Sequence, residues 1–541
     1  MNPSAVGHRA PVLWLLLPVM AGLALGRAGW FPLAPLPGLC VAAIALAVAA
    51  LWRAAWAPAF VATALVLGGV LHDLTRARLP AWETLPVREA VVTVVIDRLF
   101  APGEDPQRVS GLGRIRVTEP HLRDLTGQRI AFSLRTDPGQ RVLPSTELAV
   151  VALLEVLPAA PAHGTFEHYL DTCGVNFRLH RGRITHIVRP PSAYQQFCAT
   201  ASDRFETILR LGLEDKPSLG QVYRAMLLGR KAELSDEQDD LFLRSGTLHL
   251  FAISGLHIAT LATAFHIVLA LLPWPRGLRF ALATLALWLY TDITGGTPSA
   301  VRAFIMATLL ASLPVLRLPG NSLAALAVSA LVVLLLEPLQ LFSASFQMSY
   351  GIVAALLAFG LPLAEAWSRP PAAESHTPTA AHTPGQRWLG VVRRRMILSL
   401  SLAAAATVVS TVSGIAFFNL VTPAGLVANL VLIPLASLVV LAGCAALISG
   451  LLGIDALALL FNHAAALVLH LIEVTVRALV ALPGASLAAE FRRPWLGPAG
   501  LAVVLALMLY GYARRWRPEA GGFWPPAAAL VLLLALGVRY G

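Results

Sequence analysis

Two histidines, a serine and a glycine stand together in His249-Leu-Phe-Ala-Ile-Ser254-Gly255-Leu-His257, at the head of an apolar run that continues to about Leu272. Imidazole and hydroxyl groups can hydrogen-bond a passing polar cargo, and a serine beside a histidine can also serve as nucleophile and base. The run is long enough to cross a bilayer as a helix. Polar groups in hydrocarbon are costly, so the spacing predicts a stretch facing a cavity. At 100° per residue, Ser254, His257 and His249 would share one arc of that helix, with His257 between the others. Gly255 would let another backbone come close; a tight helix contact glued by hydroxyl and imidazole is the competing account.

Three further segments carry polar groups into apolar surroundings. In Tyr290-Thr-Asp292-Ile-Thr-Gly-Gly-Thr297-Pro298-Ser299-Ala-Val-Arg302 one apolar span ends and another begins. Thr297 can cap the helix that Pro298 opens, and Ser299 and Arg302 fall within its first turns. The positive end of that helix favours an anion, with phosphate the obvious candidate; an Asp292–Arg302 ion pair that fixes the hairpin is the alternative. Glu337 to Gly351 is rich in hydroxyl and amide groups, including Gln347, and contains Phe346. Such groups line a wet path or bond neighbouring helices. Finally, Pro423 and Pro434 flank Asn429 in an apolar stretch, as in the broken helices that often bound transport sites.

The elements that must position these groups follow from composition. Of 541 residues, 57% are hydrophobic and only 13% charged, against about a quarter charged in a soluble domain, which implies a polytopic membrane protein. The first run, Ala10 to Leu25, follows Arg9 like a signal peptide, yet a second run from Leu39 to Leu51 favours a retained helix. The net charge of +11 rests on arginine, Lys216 and Lys231 being the only lysines. Three apolar runs precede residue 75 and about ten follow residue 247, so about 13 transmembrane helices are expected.

Between them, residues 76–190 show five short alternating or β-branched segments, which predict a small extracytoplasmic β-barrel. These are Val91 to Ile96, Gly113 to Thr118, Ile130 to Arg135, Glu147 to Leu157 and Ile184 to Val188. Residues 191–246 read as an amphipathic helix and two short polar helices, with Pro217 and Ser235 as start signals. Residues 1–75 supply the N-terminal spans and residues 247–541 the main membrane domain. With a cytoplasmic N-terminus, three spans put the barrel outside. Later alternation then places Arg276/Arg279, Arg317, the Arg369 to Arg395 loop and Arg514/Arg515/Arg517 in the cytoplasm; Arg492/Arg493 is the exception. The loop from Arg369 to Gln386 is the best internal linker. An outside barrel would allow Cys173 and Cys198 to pair.

The four polar segments, in this order after a β-domain, resemble the ComEC family of competence proteins, which carry transforming DNA across the bacterial inner membrane. The resemblance lies in AISGLH at Ala252 to His257, GTPSAVRAFIM at Gly296 to Met306, SASFQMSYG at Ser343 to Gly351 and LVANLVLIPLASL at Leu426 to Leu438. GTFEHYLDTCGV at Gly164 to Val175 is similar to the end of the family's oligonucleotide-binding (OB) like domain, where Phe-Asp-Tyr is common; Phe166-Glu167-His168 departs from it.

The resemblance implies a multi-pass inner-membrane channel for single-stranded DNA, non-enzymatic and without cofactor. Along its path Arg302 would attract phosphate, while His249, Ser254, His257, Gln347 and Asn429 offer hydrogen bonds and Phe251 or Phe346 could stack bases. It also implies an outer DNA receptor and, because Gly-x-x-x-x-Gly-Lys-Ser/Thr does not occur, a separate cytoplasmic motor or strand-binding protein. Many relatives carry a metallo-β-lactamase-like domain with a His-x-His-x-Asp-His cluster. That pattern does not occur here, so degradation of the other strand is expected to fall to a separate nuclease. No metal site is expected, the histidines of the polar region having no ligand spacing. Two rival readings stay open: a transporter for another anionic solute, and an intramembrane hydrolase with Ser254 as nucleophile and His257 as base.

Overall fold

The computed structural model describes residues 10–29, 35–51, 56–76, 78–100, 105, 107–137, 139–162, 164–251, 253–318, 320–368, 384–517 and 522–540. The linker expected at Arg369 to Gln386 falls mostly outside this set, as do Ala252, His163 and the first nine residues. The chain opens with α1 (Leu13–Arg27), α2 (Pro35–Leu51) and α3 (Trp56–Thr75). α1 and α3 approach so closely that a Cβ at Gly22 or Gly68 would strike the facing backbone, the small-residue packing that lets helices associate in lipid.

Next come β1 (Arg88–Leu99), β2 (Arg108–Thr118), β3 (Arg129–Arg135), β4 (Glu147–Val156), the short α4 (Phe166–Thr172) and β5 (Phe177–Arg189). The strands close into a barrel in the order β1-β2-β3-β5-β4, with β3 and β5 parallel and the other neighbours antiparallel. Alternation builds its interior: Val92, Val94 and Ile96 of β1 meet Leu148, Val150 and Leu154 of β4 in one buried cluster with Phe177 and Leu179. The last strand starts seven residues before the segment read from the sequence. Arg181 takes a left-handed φ of 52° and the pairing with β4 shifts register between Val151 and Leu153, which breaks the alternation that marks a strand.

The connector folds as α5 (Ala193–Arg210), α6 (Pro217–Leu228) and α7 (Asp236–Arg244). Pro217 opens α6, and Ser235 forms a capping box with Gln238, as their types require. The membrane domain follows as α8 (Gly255–Ala270), α9 (Arg276–Ile293), α10 (Pro298–Val315), α11 (Ser322–Leu336), α12 (Ala344–Ala355) and, after a π-helical turn, α13 (Leu361–Ser368). It continues with α14 (Pro384–Phe418), β6 (Leu420–Val421), α15 (Gly425–Leu451), α16 (Asp455–Val480), β7 (Leu487–Phe491), α17 (Leu496–Ala513), α18 (Trp524–Gly537) and β8 (Val538–Tyr540). Among the described residues seven helical stretches are long and apolar enough to cross a bilayer, and five apolar helices are shorter. The molecule is a membrane protein carrying a five-stranded barrel.

A latch of charges seats the barrel. Asp171, at the end of α4, accepts from Arg27 at the end of α1 (3.1 Å) and from Arg76 just beyond α3, which also bonds Asn176. Arg129 of β3 reaches Glu337, just past α11, at 3.0 Å and the carbonyl of Cys173 at 3.2 Å. On the connector, Asp203 of α5 takes both terminal nitrogens of Arg141. That guanidinium holds the Asp203 carboxyl below the usual carboxylate range. Cys173 and Cys198 do not pair: both are free thiols. Cys173 lies beside Tyr169 at the end of α4, while Cys198 is buried on α5 beside Tyr194, so each faces a different neighbour.

Candidate functional site

The expected single helix from His249 onward does not form. A 3-10 turn covers Leu248–Phe251 and α8 starts only at Gly255, leaving Ser254 at its N-cap. His249 therefore shares no helical arc with Ser254 and His257; it lies exposed beside the entry to α8, within electrostatic reach of the buried His257. The reason is local. Ser254 is extended (φ −115°, ψ 172°) and its backbone N–H donates to His257 Nδ1 at 3.2 Å, closing the helix start in place of a preceding turn. The Ser254 hydroxyl meets the same nitrogen at 2.8 Å. With Nδ1 accepting, the ring proton belongs on Nε2, which is buried without a partner. Gly255 brings α8 against Ala303 of α10, a close approach but not a collision.

α10 starts as its sequence requires, Thr297 Oγ1 accepting from the N–H of Ala300 at 3.4 Å. Ser299 is half-buried in its first turn. Arg302, one turn in, is 3% exposed. Asp292 does not pair with it; its carboxylate accepts from the Tyr194 hydroxyl at 2.6 Å, joining α9 to α5, and burial together with this bond holds the Tyr194 hydroxyl protonated well beyond its ordinary range. Arg302 Nη2 instead donates to the carbonyl (2.9 Å) and hydroxyl (2.5 Å) of Ser345 in the first turn of α12. Its Nε and Nη1 are buried with no partner. Ser343 caps that helix, accepting from Phe346 N–H at 3.1 Å. Arg302 thus bridges two helix starts, each with a positive dipole end, and keeps unspent N–H donors. Buried donors without partners are uncommon in folded proteins and mark a place where another acceptor can fit.

The remaining candidates divide. Asn429, in the second turn of α15, has a buried Oδ1 without a partner. The break expected around the two prolines occurs only at the first. The chain turns through Asn419 and β6 before Gly425, whereas α15 runs through Pro434. Gln347 spends its amide on the carbonyl of Leu341 at 3.1 Å. Phe346 is 2% exposed and packs on Tyr350, and Phe251 is fully buried against Phe242, so neither ring can reach a base. Ser345 falls within the hydroxyl- and amide-rich segment Glu337 to Gly351, but its pairing with Arg302 was not read from the sequence, nor were the aromatic and arginine side chains on the outside of the barrel. Phe166, Tyr169 and Phe100 cluster there within 6.2 Å between centroids. A signal existed in Phe166-Glu167-His168-Tyr169, which puts two rings on one face of a short helix.

A family model described as competence protein matches residues 226–518, more than half of the chain and every polar segment built above. The chain belongs to the ComEC family of competence proteins. Over 141 residues it is 30% identical to ComE operon protein 3 of Bacillus subtilis (strain 168), a stretch that is 26% of this chain and 18% of that relative. No solved structure matches it. Among the described residues no group of three or more histidine, cysteine or acidic side chains is arranged to hold a metal ion.

Proposed function

We propose that this ComEC-family protein passes single-stranded transforming DNA through the bacterial inner membrane, with its N-terminus in the cytoplasm, its barrel outside and about 13 spans. The observation that carries this reading is Arg302: a guanidinium 3% exposed inside an apolar helix, bonded only through Nη2, with Nε and Nη1 free to meet a phosphate. His257 Nε2 on the neighbouring α8 and Asn429 Oδ1 on α15 offer further unspent polar atoms. The protein acts as a passage and not as an enzyme. Inward movement of each phosphate against a negative interior costs about 2.3 kcal/mol per 100 mV, so a cytoplasmic motor or strand-binding partner pulls, an outer receptor supplies the DNA and a separate nuclease removes the other strand.

The hydrolase reading draws on the 2.8 Å contact between Ser254 Oγ and His257 Nδ1. In that pair the same Nδ1 also takes the Ser254 backbone N–H, and Nε2 has no carboxylate or carbonyl to orient it. A capping role accounts for both bonds; a base with no orienting partner does not make an activated nucleophile. An anion transporter would use Arg302 equally and differs in cargo. The deciding experiment follows labelled DNA into the cytoplasm of cells with wild-type, deleted or Arg302→Ala protein, scored apart from DNA held outside. Deletion and Arg302→Ala are both expected to abolish cytoplasmic label while outer label persists. Undiminished entry in the deletion strain, shown competent by a control marker, would remove DNA passage as the function.

A further inference from the structure

α14 is 35 residues long, about 52 Å of helix, where the hydrocarbon of a bilayer takes about 20 residues and 30 Å. Its last residue, Phe418, is held next to the connector that follows the barrel, since Thr422, four residues on, abuts Gly246. About 20 residues back from Phe418 lies Ser399, so the start of the helix, residues 385–395, emerges at the opposite membrane face. We propose that this segment lies in the headgroup layer of that face and binds anionic lipid, its arginines on lipid phosphates and Trp388 among the acyl ends beneath them. This rests on the topology proposed above, which makes that face cytoplasmic, and adds the ligand that the face takes.

The helical period sorts the segment into two faces. At 100° per residue Trp388, Leu389, Val391, Val392 and Met396 share an arc of about 160°, and Arg387, Arg393 and Arg394 take the rest. Arg395 alone interrupts the apolar arc, where the spanning part begins. Trp388 is 69% exposed, and Leu389, Val391 and Met396 are exposed with it, so nothing among the described residues covers this arc. α14 contains no acidic residue. Run straight out of the bilayer, the helix would hold a tryptophan and its aliphatic neighbours in water beyond an arginine triplet. Turned into the interface, it gives the arc to lipid and the arginines to phosphate, which is the arrangement of a surface helix. Tryptophan is at home at that depth. A second element makes the same face basic. Trp516 Nε1 donates to the carbonyl of Ala358 at 2.8 Å, and Gly360 packs against the carbonyl of Ser401 on α14. The exposed Arg514, Arg515 and Arg517 around Trp516 therefore stand about two turns from the level of the Arg393 to Arg395 triplet. The neighbouring α13 sets a single carboxylate, Glu365, against them. An emerging strand would use the arginines and leave the apolar arc in water. Lipid takes both, it surrounds the helix a few residues further on, and the cytoplasmic leaflet carries negative charge where the arginines stand.

The test places an environment-sensitive fluorophore at Leu389→Cys in the full-length chain cleared of its four cysteines, held in nanodiscs of phosphatidylcholine alone or mixed with phosphatidylglycerol. Leu389 is 62% exposed, so the change leaves the fold intact. A blue shift and loss of acrylamide quenching are expected in the mixed lipid and not in phosphatidylcholine, and high salt should reverse them. The ratio of buried to wet probe should fall about fivefold for each of Arg393→Gln and Arg394→Gln, the worth of one basic side chain at an anionic surface. Trp388→Ala should lower it in the same lipid. A probe that stays wet in both lipids overturns the proposal, as does one equally buried in both and indifferent to the two arginines. A shift that needs added single-stranded oligonucleotide would assign the arginines to the strand, and one that appears only with two chains per disc would assign the arc to a second copy; either overturns it. A nanodisc leaves both faces open, so these readings do not depend on which face is cytoplasmic. Sidedness is read apart, in cells, where an impermeant maleimide should reach Gly385→Cys only after the cytoplasmic face is opened. Labelling from the barrel's side would sink the proposed topology while the lipid contact stands.

Discussion

Arg302 and Asp171 show how differently two buried charges behave. Asp171 is fully used, held between Arg27 and Arg76, and all three side chains are mostly withdrawn from water. Removing one partner from such a cluster leaves an uncompensated charge and costs about 3–5 kcal/mol. Asp171→Ala is therefore expected to detach the barrel from α1 and α3, read as a lowered melting temperature and as protease release of a fragment near residues 80–190. An intact fragment pattern would show that the latch is dispensable. Arg302, by contrast, holds back donors, so its replacement should leave folding nearly intact and strike uptake. Arg302→Lys retains the charge but loses the fork that spans Ser345 and a second acceptor; uptake is expected to fall at least about tenfold, the scale of one charge-assisted hydrogen bond. Equal uptake by the Lys variant would mean that Arg302 supplies charge alone.

At the scale of the element, the helix starts were the most legible features of the sequence. Thr297-Pro298, Ser235 with Gln238, and Pro217 each stand where local hydrogen-bonding and a fixed φ require a start. Less legible was the entry to α8, because an apolar run looks the same whether a turn or a helix occupies it; only the Ser254 N–H bond to His257 places the boundary. The partners of Asp292 and Arg302 were illegible for a related reason, since Tyr194 and Ser345 lie far from them in sequence and no periodicity links them. The cap makes its own prediction. Ser254→Ala keeps the backbone N–H bond to His257 and is expected to cost about 1 kcal/mol of stability while uptake persists. A hydrolase would instead lose all activity and stop reacting with a fluorophosphonate probe, which wild-type protein would take up.

The connector's link to the barrel responds to pH in a direction its geometry fixes. Arg141 lowers the Asp203 carboxyl in the folded chain, so the stabilisation is present above the ordinary carboxylate range near pH 4 and fades as pH drops through the folded value. Both side chains are about half exposed, so the effect is small. Hydrogen exchange across α5 should rise modestly below pH 4 in wild type and lose that step in Asp203→Asn. A step of equal size in the variant would place its origin elsewhere.

The whole molecule poses a question of sides that α15 and α16 bring to a point. Counting both as crossings contributed to the expectation of about 13 spans, and their lengths of 27 and 26 residues allow it. Alternation from the arginine clusters would then put the turn between them, Leu452 to Ile454, in the cytoplasm. Its contacts point the other way. Asn462 donates to the carbonyls of Ile208 and Leu211, His463 reaches the carbonyl of Gly212, and Gly450 abuts Ile208, so the tip of the hairpin rests on the end of α5. That same helix pairs Asp203 with the barrel's Arg141 about two turns earlier. The base of the hairpin meets the connector as well, through Arg477 with Glu237 at 3.0 Å and Thr422 beside Gly246. Among the described residues the helices between the barrel and α8 are α5, α6 and α7 with two short 3-10 turns: α5 carries Asp203, Arg204, Glu206 and Arg210, α6 is 12 residues long and α7 is nine, and none of them is an apolar helix long enough to cross. A connector that stays on the barrel's side would hold both ends of the hairpin there and take α15 and α16 out of the proposed spans, leaving the exposed Leu451, Leu452 and Leu460 to the lipid of that leaflet. In a chain cleared of its four cysteines, Gly453→Cys should react with a membrane-impermeant maleimide applied from the barrel's side, together with a barrel control at Ser110→Cys. Labelling only after the cytoplasmic face is opened would restore α15 and α16 as full crossings and require α5 to dip into the bilayer to meet them.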